Sequence, residues 1–253
     1  MSAATMFTRL YPPAVRERWG AEIGREVASS GIRSWPDTLV GAGRLWLHPS
    51  DWPESAPGQT RRVLAVAMFT VVAATALLLR AAGPSTLTAD PSRPLTSLWL
   101  GLILVGAGLG APVPLLRWAA WRRLAGDAVG VLAAPAVAVL AMILIANSGL
   151  VEHPTGAVRA ALFGWYWVTL GFTAVRLCTF VACLARTARM PGRARLRGAL
   201  LVIGAGLVLA AGQTALTVTW SAPDAGLVGP ALVLGLLGAA TIGAGQDLRG
   251  RRR

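Results

Sequence analysis

The sequence predicts an all-α fold: a six-helix transmembrane bundle preceded by an N-terminal amphipathic helical segment in the cytoplasm. Two features of the composition indicate this, because 55% of the 253 residues are hydrophobic and only 14% are charged. A soluble domain carries roughly a quarter of its residues as charged side chains. The third observation is the arrangement of the hydrophobic residues. After residue 61 they fall into runs whose lengths are near the ~20 residues that span a bilayer core.

The chain is strongly basic, with a formal net charge of +13 that comes from 24 arginines, no lysine and 11 carboxylates. Most of the arginines lie between the apolar runs, where the positive-inside rule accounts for them. The expected partners are therefore the lipid bilayer and anionic lipid at its inner leaflet. Nucleic acid, a frequent partner of so basic a chain, is not expected.

Residues 1–61 form the predicted cytoplasmic prefix, which contains no apolar run of membrane-spanning length. A helix is expected across LYPPAVRERWGAEIGREVASSG, because its proline pair suits the first turn and its closing glycine suits the end. An apolar residue recurs every four positions in this amphipathic helix, at Val15, Trp19, Ile23 and Val27. A second helix is expected from Pro36. We interpret the prefix as two helices along the inner membrane surface, with a small self-packed cytoplasmic domain as the alternative.

The predicted transmembrane domain covers residues 62–247, and a basic cytoplasmic tail covers residues 248–253. The domain contains six apolar runs, at 63–80, 95–116, 128–148, 160–185, 198–220 and 226–245. Arginines cluster before the first run, after the second and fourth runs, and in the tail, so every basic segment falls on one side of the membrane. The sequence thus predicts a multi-pass protein of the plasma membrane with both termini in the cytoplasm. Arg80, at the end of the short first run, is expected to reach outward.

Arg176 is the strongest candidate for a functional residue inside a span. Aromatic residues 165–167 mark the outer end of the fourth run and Arg186 marks its inner end, which leaves Arg176 near the middle of the hydrocarbon core. A charge at that depth costs about 2.5 to 3.5 kcal/mol on insertion scales. Polar side chains of the same helix and of the fifth run complete a candidate intramembrane polar site, namely Thr169, Thr173, Gln213 and Thr217.

Two interpretations of Arg176 stay open. In the first, the guanidinium faces a water-filled cavity, an anionic ligand or a partner subunit, because no carboxylate lies inside any of the six runs. In the second, the helix sits lower in the bilayer and Arg176 reaches the inner headgroups, with help from backbone carbonyls and threonine hydroxyls.

The remaining motifs indicate packing rather than chemistry. Small residues let helices approach closely in lipid. We therefore expect close helix contacts within the chain at Gly101, Gly106, Gly108, Gly110, Gly235 and Gly238. Cys178 and Cys183 lie five residues apart on one helix, where they cannot form a normal disulfide, and are expected to be buried thiols. No Walker A, GxGxxG, GxSxG, HExxH or CxxC pattern is present, so no catalytic residue, cofactor or metal site is expected.

The segment LYPPAVRERWGAE resembles a YPxxxRxRxGxE signature at the N-terminus of many actinobacterial membrane proteins, in which a short helical prefix precedes a set of transmembrane helices. Six positions match and Trp19 replaces the more usual tyrosine; the matching residues are Tyr11, Pro12, Arg16, Arg18, Gly20 and Glu22. The resemblance covers about 20 residues. It implies a permease-like integral membrane protein, of a kind that in some cases lies beside PadR-type regulators or ABC ATPase subunits, with the prefix as a docking or regulatory module.

Two functions fit these observations. The first is a non-catalytic membrane component, permease-like or regulatory, whose prefix docks a cytoplasmic protein partner. The contact residues would be Arg16, Arg18, Trp19 and Glu22. The second is a self-contained transporter of a small or anionic solute, with Arg176 as the counter-charge. An enzyme is not expected, because the spans offer no acid and base pair.

Overall fold

The computed structural model describes residues 3–82, 94–113, 118–147, 156–220 and 225–249. The helices of this part of the chain are α1 (Ala3–Thr8), α2 (Pro13–Ser30), α3 (Trp35–Leu47), α4 (Gln59–Ala82), α5 (Pro94–Gly110), α6 (Trp118–Asn147), α7 (Gly156–Thr187), α8 (Arg193–Trp220) and α9 (Ala225–Asp247). Short 3-10 turns at Gly31–Ser34 and Pro49–Asp51 flank α3. These residues contain no β-strand, only an isolated antiparallel bridge between Val113 and Arg189.

Five of these helices are long and apolar enough to cross a membrane. Their spanning segments are Gln59–Ala81, Arg122–Ile145, Gly156–Arg186, Arg193–Leu216 and Val228–Asp247. The second predicted span corresponds to α5, whose apolar segment Leu98–Gly110 is shorter. The all-helical, multi-pass expectation is confirmed for these five helices, and the count of six stays a prediction.

The helix boundaries differ from the predicted runs at the ends that carry arginine. Helix α6 begins at Trp118 and α8 begins at Arg193, so arginines assigned to loops lie inside helices. Arginine is a good helix former, and a helix can continue into the headgroup region where its charge is solvated. Helix α5 ends earlier than expected, at Gly110, because Pro112 disfavours helical backbone in the residue before it.

Helix α8 is the centre of the most closely packed part of the bundle. It packs along α5 on one side and along α9 on the other. Its side chains Leu196, Ile203 and Leu207 are fully buried. Helices α6 and α7 lie apart from this group, since α6 packs mainly on α7 and α7 mainly on α4 and α6.

Glycines bring the backbones of the α8 group together. A Cβ added to Gly106 of α5 would lie 2.5 Å from Ile203 Cγ1, and one added to Gly204 of α8 would lie 2.5 Å from Ile242 Cγ1. An added Cβ would overlap the Met68 side chain at Gly110 and would lie 2.9 Å from Val208 Cγ2 at Gly238, so these expected close contacts lie within the chain. Gly101 and Gly108 have no neighbour within 4 Å of an added Cβ, and Gly235 has only Ala211 at 3.9 Å.

Hydrogen bonds join several helix ends at one end of the bundle, here called the basic end. Val113 and Arg189 exchange backbone hydrogen bonds of 3.2 and 3.0 Å, which join the segments after α5 and α7. Arg195 of α8 donates to the carbonyl of Gly108 at 3.3 Å, and Arg61 of α4 donates to that of Pro191 at 3.4 Å. These contacts agree with the predicted alternation, because they gather basic segments on one side.

The prefix packs on itself and against the basic end. Trp46 Nε1 donates to the carbonyl of Leu10 at 2.8 Å, and Trp52 Nε1 donates to that of Leu45 at 2.6 Å. The backbone N–H of Ser50 donates to Asp247 Oδ2 of α9 at 2.7 Å, which fixes the prefix to the last helix. These contacts fit the self-packed alternative.

Helix α3 also has exposed apolar side chains, which a position on the membrane surface requires. Its side chains Leu39 and Val40 are exposed, as is Ile32 just before it. On the same apolar side, Leu47 packs against Gly243 of the spanning helix α9. The exposed apolar side chains fit the membrane-surface interpretation of the prefix, which stays a prediction.

Candidate functional site

Helix α2 carries the predicted docking residues, and its local structure follows from its sequence. Pro12 precedes its first turn, and Gly31 ends it with a positive φ of 61° that glycine adopts without strain. Its inner side is tightly packed, with Val15 and Val27 buried. Helix α1 crosses α2 at Gly20, where an added Cβ would lie 3.4 Å from Thr8 Cγ2.

Three of the four predicted docking residues share the exposed side of this helix. Arg18, Trp19 and Glu22 are all exposed, and we call them the outer face of α2. They fall within about 100° of helix rotation. The Arg18 guanidinium lies 5.2 Å from the Trp19 ring centroid, a cation–π geometry that holds both side chains in place.

Trp19 belongs to the four-residue apolar repeat with Val15, Ile23 and Val27, but its side chain lies at the surface of α2. Its side chain is 38% exposed, whereas Val15 and Val27 are 2% and 4% exposed. The exposed indole is therefore free to contact another molecule.

Arg16, the fourth predicted docking residue, lies away from the outer face. Its aliphatic stem packs at Gly20, with Cγ 3.2 Å from the position of an added Cβ. Its head lines a groove together with Arg62 of α4 and Arg186 of α7. The structure therefore divides the predicted set into a group of three and one residue that faces the bundle.

Tyr11 begins the YP motif and holds the start of α2 against α3. Its hydroxyl donates to the carbonyl of Thr38 at 3.4 Å. Burial raises the pKa of Tyr11, and the nearby carboxylate of Glu26 raises this pKa further. Tyr11, together with the buried Pro12 and the close-packed Gly20, thus has a packing role, while Arg18 and Glu22 of the same motif face outward.

Arg176 lies on α7, ten residues before Arg186, and is half-buried. Its guanidinium carbon lies 5.1 Å from the ring centroid of Phe172, one turn earlier in the helix. The side chain therefore extends toward the start of α7 and away from the basic end. Reaching the headgroups at the basic end would require the opposite direction, so this conformer differs from the second interpretation of Arg176.

The other residues of the predicted intramembrane site lie on two helices. Thr169 is buried, and Thr173 Oγ1 donates to its carbonyl at 2.7 Å, so both belong to α7 beside Arg176. Gln213 belongs to α8, and the side chain of Thr217 lies outside the part that the structure describes. Because α7 packs mainly on α4 and α6 while α8 packs mainly on α5 and α9, the joint site stays a prediction.

A polar contact that the sequence analysis did not anticipate lies at the end of the bundle opposite the basic end. Arg80 Nε of α4 donates a hydrogen bond to the hydroxyl of Tyr166 on α7. The Arg80 guanidinium also lies 5.6 Å from the Tyr166 ring centroid. The sequence placed both residues at the outer membrane boundary, so their common depth could be predicted. It did not predict that α4 and α7 are neighbours.

Residues suited to metal binding do not cluster within the described ranges, where no group of three or more histidine, cysteine or carboxylate side chains comes together. Cys178 and Cys183 are free thiols, each partly exposed on α7. Other residues cover these thiols only in part, because α7 has few neighbours.

No family model matches the chain, and neither the curated proteins nor the solved structures contain a significant match. The class of the protein thus follows from its own helices. Five long apolar helices define a multi-pass α-helical membrane protein.

Proposed function

We propose that the protein is a non-catalytic component of the plasma membrane whose N-terminal module docks a cytoplasmic protein through the outer face of α2. The proposal includes a cytoplasmic location for both termini, and a permease-like or regulatory role for the assembly. The observation that carries it is the exposed Trp19 ring with the Arg18 guanidinium over it. Tryptophan and arginine are the residue types most enriched at the energetic centres of protein interfaces.

The contacts that hold α2 in place support a docking role for its outer face. Helix α2 is held by α1 across Gly20 and by α3 through Tyr11, and the prefix as a whole is bonded to α9 through Ser50 and Asp247. A partner that binds α2 would therefore be mechanically connected to the end of a membrane helix. Because the surface is ordered before binding, little conformational entropy is lost on association.

Site-specific crosslinking in intact cells tests this proposal. A photo-reactive amino acid at Trp19 should form a covalent adduct with one cytoplasmic protein. The same group at Ala21, which is exposed on α2 but rotated by about 160° from Trp19, should not. The co-purified partner should bind Trp19→Ala at least about 30-fold more weakly than the unchanged protein, which is the loss expected of a hot-spot residue.

A matched substitution keeps this result specific. Arg123 is also an exposed arginine but lies on α6 and not on the prefix, and Arg123→Ala should leave the complex intact. Adducts of equal yield from both crosslinker positions would contradict the proposal. Unchanged partner affinity in Trp19→Ala would contradict it as well.

A further inference from the structure

A groove separate from the outer face of α2 lies at the basic end, between the prefix, α4 and α7. Its volume is about 830 Å³, and we call it the α4–α7 groove. Residues from α2, α3, α4, α7 and α9 line it, so its shape depends on the docked prefix. This groove combines two chemically different parts, a basic mouth and an apolar floor.

The mouth is strongly positive. Four arginines, Arg9, Arg16, Arg62 and Arg186, surround it with one carboxylate, Glu17. All four arginine side chains are exposed. Among the residues that the structure describes, none of these four guanidinium groups forms an ion pair with a carboxylate. An unneutralised group of arginines attracts an anion with several oxygen acceptors, such as a phosphate.

Glu17 offsets only one of the four positive charges of this group, and its carboxylate is hydrogen-bonded to neutral side chains. Its Oε2 accepts a hydrogen bond of 3.0 Å from Gln59 Nε2 and a longer one of 3.4 Å from Ser55 Oγ. The glutamate thus holds the segment before α4 against α2. The mouth keeps a net positive charge.

The floor is apolar and runs along the spanning helices. Val66, Val71 and Ala74 of α4 form it, with Ala182 of α7 on the facing side. From Arg62 to Ala74 the groove follows α4 for about 18 Å at 1.5 Å per residue. Half the hydrocarbon core of a bilayer is about 15 Å thick, so the groove has the depth of one leaflet.

We propose that the α4–α7 groove binds one anionic phospholipid of the leaflet at the basic end. Its headgroup phosphate lies among Arg16, Arg62 and Arg186, and one acyl chain lies along Val66, Val71 and Ala74. The arrangement matches an amphipathic molecule whose charged and apolar parts are joined at the membrane surface. A soluble phosphate compound fits the mouth alone and leaves the floor unfilled, and an acidic peptide has no segment that suits an apolar channel at bilayer depth.

Native mass spectrometry of the full chain in mild detergent tests the proposal with phosphatidylglycerol as the probe. One phosphatidylglycerol molecule should bind with clear preference over phosphatidylcholine. The double substitution Arg62→Gln with Arg186→Gln should weaken phosphatidylglycerol binding by about 30-fold, from the attraction that each arginine contributes near an anionic lipid. The matched control is Arg122→Gln with Arg123→Gln, two exposed arginines at the start of α6, and should bind as the unchanged protein does.

Three further results decide the source of the anion and the specificity of the groove. Glycerol 3-phosphate at millimolar concentration should not displace the phospholipid, and displacement would overturn the proposal in favour of a soluble anion. Equal weakening in both double variants would reduce the effect to general surface charge and overturn it too. If the groove pair does not fold, the single substitution Arg62→Gln should still weaken binding by about 5-fold, and unchanged binding would overturn the proposal.

Discussion

The α5–α8–α9 group and the α6–α7 pair are both strongly apolar but are packed in different ways. Within their spanning segments, 44% of α8 and 33% of α9 is buried, against 6% of α6 and 11% of α7. Hydropathy does not explain the difference, because α6 is the most apolar of the five spanning segments and the least buried. Hydropathy therefore reports which segments enter the bilayer, and not which of them pack together.

The position of glycine explains the difference better. Gly106, Gly204 and Gly238 each stand where a neighbouring helix leaves no space for a Cβ. Gly130 of α6 and Gly164 of α7 have no neighbour within 4 Å of an added Cβ. Lipid is as apolar as leucine, so close backbone approach is the main source of helix association in a membrane. The α6–α7 pair lacks it and presents apolar side chains to lipid instead.

The largest expected effect comes from filling the close contacts of the α8 group. Gly106→Leu places a Cβ 2.5 Å from Ile203 Cγ1 and 3.0 Å from the Ala199 carbonyl oxygen, which is backbone and cannot rotate away. We expect it to lower the free energy of unfolding by at least about 3 kcal/mol, at the upper end of overpacking costs. Recovery of folded protein by size-exclusion chromatography after heating in detergent measures this loss.

Gly108→Leu provides the control, on the same helix two residues away. No atom lies within 4 Å of an added Cβ at Gly108, so the variant should keep the stability of the unchanged protein. An equal loss in both variants would mean that the contact between α5 and α8 is not the source of the difference between the two regions.

Part of this packing could be predicted from the sequence, and part depended on which helices are neighbours. The GxxxG pair of α5 was found in the sequence, and Gly106 and Gly110 do lie at close contacts. Gly204 and Gly206 of α8 were missed, because a glycine lies at an interface only if its side of the helix faces a neighbour. That depends on the neighbour order of the helices, which apolar runs and loop charges do not contain.

The same limit applies to the candidate site. The exposed group on α2 was predicted as four residues, and Arg16 differs from the others because it lines the groove with Arg62 and Arg186, which cannot be read from one helix. The ends of α6 and α8 were missed because arginine marks a membrane boundary and continues a helix equally well. Where the connecting segments are basic, the end of an apolar run and the end of the helix therefore fall at different residues.

The next effect in size concerns the contact between α4 and α7, which attaches the loosely packed pair to the rest. Tyr166→Phe removes the hydroxyl that accepts from Arg80 Nε and keeps the ring beneath the guanidinium. A hydrogen bond to a charged group contributes about 1.5 to 3 kcal/mol, and we expect a loss of stability in that range. Thermal unfolding in detergent measures it.

A double-mutant cycle with Arg80→Gln separates this contact from other effects of the two substitutions. If the hydroxyl acts through the guanidinium, the sum of the two single-variant losses should exceed the loss in the double variant. Additive losses would show that each residue acts through other neighbours, and that packing alone attaches α7 to α4.

Arg176 offers a test with the opposite sign. A guanidinium within an apolar spanning helix, held over Phe172, is costly, and the cation–π contact offsets only part of that cost. We therefore expect Arg176→Leu to raise the free energy of unfolding by about 1 kcal/mol. Thermal unfolding checks the sign, and a decrease would show that Arg176 has a stabilising partner.

Accessibility to reagents decides between the two interpretations of Arg176. In a variant with Cys178 and Cys183 replaced, Arg176→Cys should be protected from a membrane-impermeant thiol reagent in oriented vesicles. Cysteines placed in the loops at both ends of α7 should react as positive controls. Labelling at position 176 would reveal a water-filled path and would favour the transporter over the docking component.

The smallest effect concerns the prefix, which packs on α9 and so belongs with the tightly packed region. Tyr11→Phe removes the hydrogen bond to the Thr38 carbonyl, a long one at 3.4 Å, and should cost at most about 1 kcal/mol at pH near 8.

The raised pKa of Tyr11 favours the neutral phenol in the folded state. Its contribution is therefore fully present below the unfolded pKa of 10.0 and is lost as the pH rises through the higher folded pKa. The difference in melting temperature between the unchanged protein and Tyr11→Phe should thus shrink above pH about 10, because only the unchanged protein ionises at this position. A difference that stays constant across this range would mean that the Tyr11 phenol is as well solvated in the folded prefix as in the unfolded chain.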